Sequence, residues 1–340
     1  MIPVLANIRV APKNKRVVQN TDTDQWRPSA AIVVLRQRAE ILKTIRDFFA
    51  HRQVLEVETP ALSHAASSEV HLQSMQVTAA GLPIGYLHTS PELAMKRLLA
   101  AGSGDIYQLC KVFRAGEQGT RHNPEFTLLE WYRLGFDMQT MMQEVTALLS
   151  ELLADRLTAM PITLTYRQAF IDYAQIDPFA TSSAQWQQAF FQHTQQEVAG
   201  ASESDWLDLL LSFVVQPRLP TDRLVFITHF PALQASLAKL DASDATLARR
   251  FEVFAGGLEL ANGFEELTDY TEQAQRIATE QTTRRTQGRD CLPVDARFLA
   301  ALQHGLPACS GVAVGVDRIV MLATGQAQIA DVISFDFTRA

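Results

Sequence analysis

Between residues 30 and 53 apolar side chains recur at helical spacing, at Leu35, Ala39, Leu42, Ile45 and Phe49, with charged residues between them. This pattern predicts an amphipathic helix that Ser29 is suited to cap. Residues 54–58 then read as a strand, which Thr59-Pro60 ends, and short strands are expected at 75–77 and 84–88. Thr89-Ser90-Pro91-Glu92 opens a helix to about Ala101: a hydroxyl caps it, Pro91 fits the first turn and Glu92 suits the positive end. Strands at 106–114 and 125–133 flank a polar loop, and Asp137 caps a helix to about Leu153. Residues 165–215 read as mostly helical, followed by strands at 224–228, 250–254 and 258–262. Helices are expected at 270–287 and 295–304, and a strand at 311–314 leads into a helix at 316–323. The strands come in hairpin-like groups rather than in βαβ alternation. The predicted class is therefore α+β, an antiparallel β-sheet flanked by helices.

Composition narrows the reading. The chain has 340 residues, 47% apolar and 20% charged, which excludes extended disorder. Its apolar stretches are broken well before the ~20 residues a bilayer requires, and no secretory signal opens the chain. A cytoplasmic protein with no membrane partner is expected. Cys110, Cys291 and Cys309 form no CxxC pair, which argues for a reducing compartment and against a thiolate zinc site. The net charge of −7 is uneven: residues 1–28 carry +3 and the remainder −10. Residues 1–28 are expected to be a loosely ordered basic extension and 29–340 a single catalytic domain. The acidic balance of that domain speaks against tRNA as a partner, because nucleic-acid binders ordinarily present a basic face.

Three segments carry chemistry. Along the strand after Arg121-His122-Asn123-Pro124-Glu125, the residues Phe126, Leu128, Glu130 and Tyr132 share one face. A carboxylate and a phenol there need a partner, which a substrate ammonium would supply. Arg114, across the hairpin, offers a planar fork for carboxylate or phosphate oxygens, although a surface hairpin with ordinary ion pairs has the same composition. Glu252 and Glu259 lie on strands that a Gly256-Gly257 turn would join. They are either two solvated acids or a pair that holds a hard cation such as Mg²⁺ against phosphates. Gly311 and Gly315 permit close backbone approach, and Arg318 follows in the first turn of a helix, against the dipole preference. A binding task or a local salt bridge would each explain it.

In this order the segments resemble the catalytic core of the class II aminoacyl-tRNA synthetases, in their lysine branch. Thr59-Pro60 is similar to the first motif of that class, which lies at a dimer interface. Phe113-Arg114 through Phe126 is similar to the second and Gly315-Val316-Asp317-Arg318 to the third. Glu259-Leu260-Ala261-Asn262-Gly263-Phe264 with Glu266 looks like the lysine-branch pocket strand. The resemblance covers roughly residues 30–340. Only some 28 residues precede the core, whereas lysyl-tRNA synthetases carry an anticodon-binding barrel there. Ser90-Pro91-Glu92, Phe251-Glu252-Val253 and Cys309-Ser310-Gly311-Val312-Ala313 look closer to a truncated group of paralogues that act on elongation factor P. Ala313 stands where lysyl-tRNA synthetases usually have Gly, and its methyl would reshape the pocket.

The resemblance implies ATP-dependent activation of (R)-β-lysine as an adenylate and its transfer to a lysine of elongation factor P, by a homodimer. It makes Arg114, Glu259 and Arg318 catalytic. It assigns ATP binding to Arg114, Glu117, His122, Asn123, Phe126, Glu259, Leu260, Gly315 and Arg318, and Mg²⁺ to Glu252 and Glu259. It assigns the amino acid to Ser90, Pro91, Glu92, Glu130, Tyr132, Asn262, Glu266 and Ala313. One departure stands out: the second motif usually reads Arg-x-Glu, but Ala115-Gly116 follow Arg114 and the acid is Glu117. A minimal lysine–tRNA ligase and a catalytically silent paralogue are the alternatives.

Overall fold

The computed structural model describes residues 26–180 and 182–340, so the basic extension expected at 1–28 falls almost wholly outside the described residues. Among the described residues an eight-stranded sheet forms the centre. In chain order its strands are β1 (Leu55–Glu56), β5 (Ile106–Phe113), β6 (Glu125–Leu134), β7 (Ile162–Thr165), β8 (Val225–Pro231), β9 (Leu247–Ala255), β10 (Leu258–Glu265) and β11 (Cys309–Gly315). In space they run β1-β5-β6-β11-β10-β9-β8-β7. The six middle strands are antiparallel, while β1 on β5 and β7 on β8 are parallel edges. Parallel neighbours need long crossovers. Those between β7 and β8 are α4 (Tyr166–Ala174), α5 (Ser183–Thr194) and α6 (Glu203–Leu210). Those between β1 and β5 are a small sheet of β2 (Leu62–Ser63), β3 (Gln76–Ala79) and β4 (Leu82–Leu87), followed by α2 (Glu92–Ala100).

One face of the sheet is closed by α1 (Ile32–His51), α3 (Met138–Leu152) and α9 (Val316–Thr324), which bury Phe49, Leu129, Trp131, Val145, Phe251, Val253, Val314 and Ile319. Trp131 is fully buried, and its indole Nε1–H donates to Glu144 Oε2 at 3.0 Å. The alternate residues of the same strands point to the opposite face and line a cavity. Helix α7 (Tyr270–Thr286) closes its flank, and α8 (Ala296–Gly305) packs against α2 and α7.

Two local features differ from the sequence expectation. Ser29 does not cap α1, which begins after Ala31 with no side-chain cap. Its hydroxyl donates to Asp336 Oδ1 and accepts from the Asp336 backbone N–H, both at 2.9 Å, because the C-terminal segment returns to this point. A bulge also interrupts the β9–β10 ladder, with Glu259 opposite Phe254, Ala261 opposite Val253 and Leu260 in excess. Residues 259 and 262 are three apart and in a regular strand would face opposite sides. The extra residue puts both on the cavity side and turns Leu260 and Ala261 into the core.

The close approach of β9 and β10 depends on Gly263, which faces Phe251. A Cβ there would collide with the Phe251 ring, whose own position is fully buried. We expect Gly263→Ala to lower stability by about 1–3 kcal/mol. Urea unfolding checks this, and an unchanged midpoint would mean that the ring has room to move.

Candidate active site

The cavity has a volume of about 620 Å³. Register explains its floor. Glu130 of β6, Ala313 of β11, Asn262 of β10 and Glu252 of β9 are successive partners across four strands, so they form one row on the open face. In the next row Tyr132 pairs with Gly311, and Gly311 with Phe264. A Cβ at Gly311 would collide with the Tyr132 ring, so glycine is what lets the phenol lie flat against β11. Of the residues the sequence nominates, all line this cavity except Pro91, which sits at the N-terminal cap of α2.

One end is acidic. Ser90 Oγ accepts from the Glu92 backbone N–H at 2.9 Å and donates to Glu130 Oε2 at 2.8 Å. It thus satisfies the first backbone N–H of α2 and orients Glu130 at once. The Tyr132 hydroxyl donates to Glu130 Oε1 at 2.6 Å. Burial and the charge of Glu92 push Glu130 up to about 8, while burial keeps Tyr132 a neutral phenol. Beside them lies Lys96, only 1% exposed, with Nζ 2.7 Å from Glu92 and 2.5 Å from Glu266. Burial alone would strip its proton, but Glu266 and Glu92 outweigh that and hold the ammonium above its ordinary range. Burial and Glu92 lift Glu266 above the ordinary carboxylate range in spite of Lys96. Lys96 is thus clasped by two carboxylates, and Glu130 beside them keeps its proton near neutral pH until another cation arrives, so acidic groups outnumber cations at this end of the cavity.

The other end is rich in arginine. The Arg114 guanidinium lies 5.0 Å from the centre of the Phe126 ring, donates to Thr89 O at 3.4 Å and stands 3.8 Å from Glu117. Arg318 donates to the Glu259 carbonyl at 2.7 Å and lies 3.3 Å from its carboxylate. It also lies 2.9 Å from His122 Nε2. Burial and the neighbouring Arg318 push His122 down to about 3, so its ring is neutral and Nε2 accepts. Arg318 outweighs burial at Glu259 and holds that carboxyl below its ordinary range. Burial instead lifts Glu252 to about 7, with Glu259 adding to the rise and Arg250 opposing it. Gly315 contributes the N-cap of α9, and the Leu260 side chain belongs to the core, so both present backbone to the cavity.

Sequence reasoning missed several participants. Lys96 follows Glu92 by one helical turn, a spacing common on exposed surfaces. The signal for burial was its place between Met95 and Leu99 on the packed face of α2. Arg250 donates to Glu252 Oε1 at 2.6 Å, to Asn262 Oδ1 at 3.2 Å and to Gln234 O at 2.7 Å. Asp317 anchors the start of α9 by accepting from the Thr127 backbone N–H at 2.7 Å and pairing with Arg38 at 2.6 Å. Asn123 uses both ends of its amide within the chain, to Glu125 O at 2.6 Å and from Phe337 N–H at 2.9 Å.

Comparison with known proteins adds to this geometry. The family described as class II tRNA synthetases (D, K and N) matches residues 18–339. A curated protein of Edwardsiella ictaluri named elongation factor P–(R)-beta-lysine ligase is 46% identical over 327 residues, 94% of this chain and 100% of that protein. Proteins of the same name from Pseudoalteromonas translucida and Pectobacterium atrosepticum are 47% and 45% identical, covering 93% and 94% of this chain and 98% and 100% of their own lengths.

Two outcomes test the charge balance. Glu130 and Glu252 hold their protons more tightly folded than unfolded. Their stabilising protonation is complete below the unfolded carboxylate value of ~4.3 and is lost as pH rises through 7–8. The Tm of the ligand-free protein should therefore fall between about pH 5 and 8, and Glu130→Gln should flatten that fall. Identical pH slopes for the two proteins would refute the assignment. Lys96→Met strands two buried carboxylates, and we expect a loss of about 3–5 kcal/mol in denaturant unfolding near neutral pH. A variant as stable as the parent would show that the acids do not need their cation.

Proposed function

The chain belongs to the class II tRNA synthetase family (D, K and N), and on that premise we propose that it joins (R)-β-lysine to a lysine of elongation factor P at the expense of ATP. The observation that carries the amino-acid part is the acidic end of the cavity. Glu92, Glu130 and Glu266 line it and only the buried Lys96 stands behind them, so a surplus of acidic groups faces the cavity. A dicationic amino acid meets that surplus, whereas an aspartate-like substrate would be repelled. The near-complete coverage of relatives bearing the ligase name supports the acceptor.

Activation joins the amino-acid carboxylate to the α-phosphate of ATP and releases pyrophosphate. A carboxylate is already a nucleophile at neutral pH, so the barrier is repulsion between like charges, and alignment plus cationic groups lower it. In this reading Arg114 bridges the substrate carboxylate and the α-phosphate, and its hold by Thr89 O and Glu117 pre-sets its direction. Glu117 thus takes the place of the usual second-motif acid as an orienting partner. Phe126 stacks on the adenine and Arg318 covers the other side, while His122 keeps Arg318 in place from a neutral ring. Asn123 shapes the nucleotide loop from within the chain, and Gly315 and Leu260 offer backbone to the nucleotide. Asn262, steadied by Arg250, orients the carboxylate, and Ala313 fixes the width between Glu130 and Asn262.

Glu252 and Glu259 share the cavity face, and two carboxylates suit a Mg²⁺ ion whose remaining ligands are phosphate oxygens and water. Bound there, the ion would neutralise phosphate charge. Among the described residues no helix is long and apolar enough to cross a membrane. We take the chain to act in the cytoplasm as a homodimer and without tRNA. The exposed Leu55 of β1, just before the first-motif Thr59-Pro60, supports a subunit contact there.

Intact-mass measurement of elongation factor P after incubation with the protein, ATP and (R)-β-lysine should show the gain of one lysyl group. Arg114→Ala should cut lysine-driven ATP–pyrophosphate exchange by at least ~100-fold. No mass gain with a preparation active in exchange would overturn the acceptor, and exchange driven only by a neutral or acidic amino acid would overturn the substrate.

A further inference from the structure

The aminolysis step needs a proton acceptor, because the free pKa of a lysine amine is ~10.4 and its ammonium form has no lone pair to attack with. The groups placed above do not supply one. Arg114 and Arg318 are permanently cationic, Glu130 is engaged by two hydroxyl donors, Glu92 and Glu266 are paired with Lys96, and Glu252 and Glu259 are paired with Arg250 and Arg318.

A different acid lines the same cavity. Glu69 lies on the loop between β2 and β3, and among the described residues its carboxylate has neither a hydrogen bond nor an ion pair. The loop itself is held from α7. Arg284, fully buried, donates to Glu69 O at 2.8 Å, to Leu72 O at 3.2 Å and to Gln73 Oε1 at 3.2 Å. Arg289 donates to Val70 O, and the Ala115 N–H donates to Gln73 O at 2.9 Å, which ties the loop to the segment after Arg114. Two arginines thus fix a backbone whose one acidic side chain is left free on the cavity wall.

We propose that Glu69 accepts the first proton of the incoming lysine ammonium and so is a catalytic residue of the transfer step. This rests on the reading above that the acyl acceptor is a protein-borne amine. The ammonium gives one proton to the Glu69 carboxylate, and the freed lone pair forms the C–N bond to the adenylate carbonyl. The C–O bond to phosphate breaks, its electron pair leaves with AMP, and the AMP phosphate takes the second proton. Glu69 then returns its proton to water. Burial, Glu92 and Glu280 push its carboxyl up to about 7 against the pull of Arg114 and Arg250, a value suited to a base at neutral pH. Glu280 lines the same cavity and accepts from Ser68 Oγ at 2.5 Å, adding negative charge on the approach of a cationic side chain.

The test compares two acceptors of one adenylate: elongation factor P, whose lysine must be deprotonated, and hydroxylamine, which is already neutral at pH 7. In Glu69→Gln, transfer to elongation factor P should fall about 100-fold relative to hydroxamate formation, and Glu69→Asp should restore part of it. Equal effects on both acceptors would overturn the inference, and so would unchanged transfer to the protein. The parent protein runs alongside. If it forms hydroxamate but does not modify elongation factor P, the acceptor assignment of the preceding section fails. Normal parental transfer with an unaltered acceptor ratio in Glu69→Gln refutes only the role of Glu69.

Discussion

Desolvated carboxylates govern this molecule. Glu92, Glu130, Glu252, Glu259 and Glu266 all line one cavity, where each would hold its charge poorly without a counter-charge. Lys96, Arg250 and Arg318 supply the permanent part of that compensation, from α2, β9 and α9. What they leave unmet is what a ligand must bring. The site is therefore defined as much by its incomplete neutralisation as by its shape, and the two ends differ in charge balance because the resident cations are unevenly distributed.

The sheet turns that electrostatic demand into geometry. Antiparallel register sets Glu130, Ala313, Asn262 and Glu252 in a row, so residues distant in sequence share one floor without any loop having to fold over it. The bulge at Leu260 extends the row to Glu259, which a regular strand would have buried against Phe251 and Val253. On the closed face Trp131 and its neighbours pack against α1, α3 and α9, giving the floor a rigid backing.

Much of this was legible in the sequence, and the reason is local. Period-two alternation put Phe126, Leu128, Glu130 and Tyr132 on one face, and the resemblance of the motifs to the synthetase family implied one site for Arg114, Glu259 and Arg318, which the structure brings together. Other features depend on partners that are far away along the chain. Lys96 has the spacing of a surface ion pair, and its burial is matched by Glu266, which arrives from just beyond β10. Glu69 sits in a segment without periodicity, and its position follows from Arg284 some two hundred residues later. The parallel edges β1 and β7 are too short to announce their pairing, and Ser29 was drawn from its expected cap by Asp336. Local rules identify which side chains are available; tertiary contacts decide which charges are already satisfied.

The return of residues 333–337 to the beginning of α1 has a bearing on biogenesis. Ser334 O accepts from the Ser29 N–H at 2.7 Å, and the Phe337 N–H reaches Asn123 in the loop that carries His122. On a translating ribosome the early helices and most of the sheet leave the exit tunnel well before this segment does. The loop that carries His122 therefore gains this contact with Phe337 only after residue 337 has cleared the tunnel, when nearly all the rest of the fold is already outside.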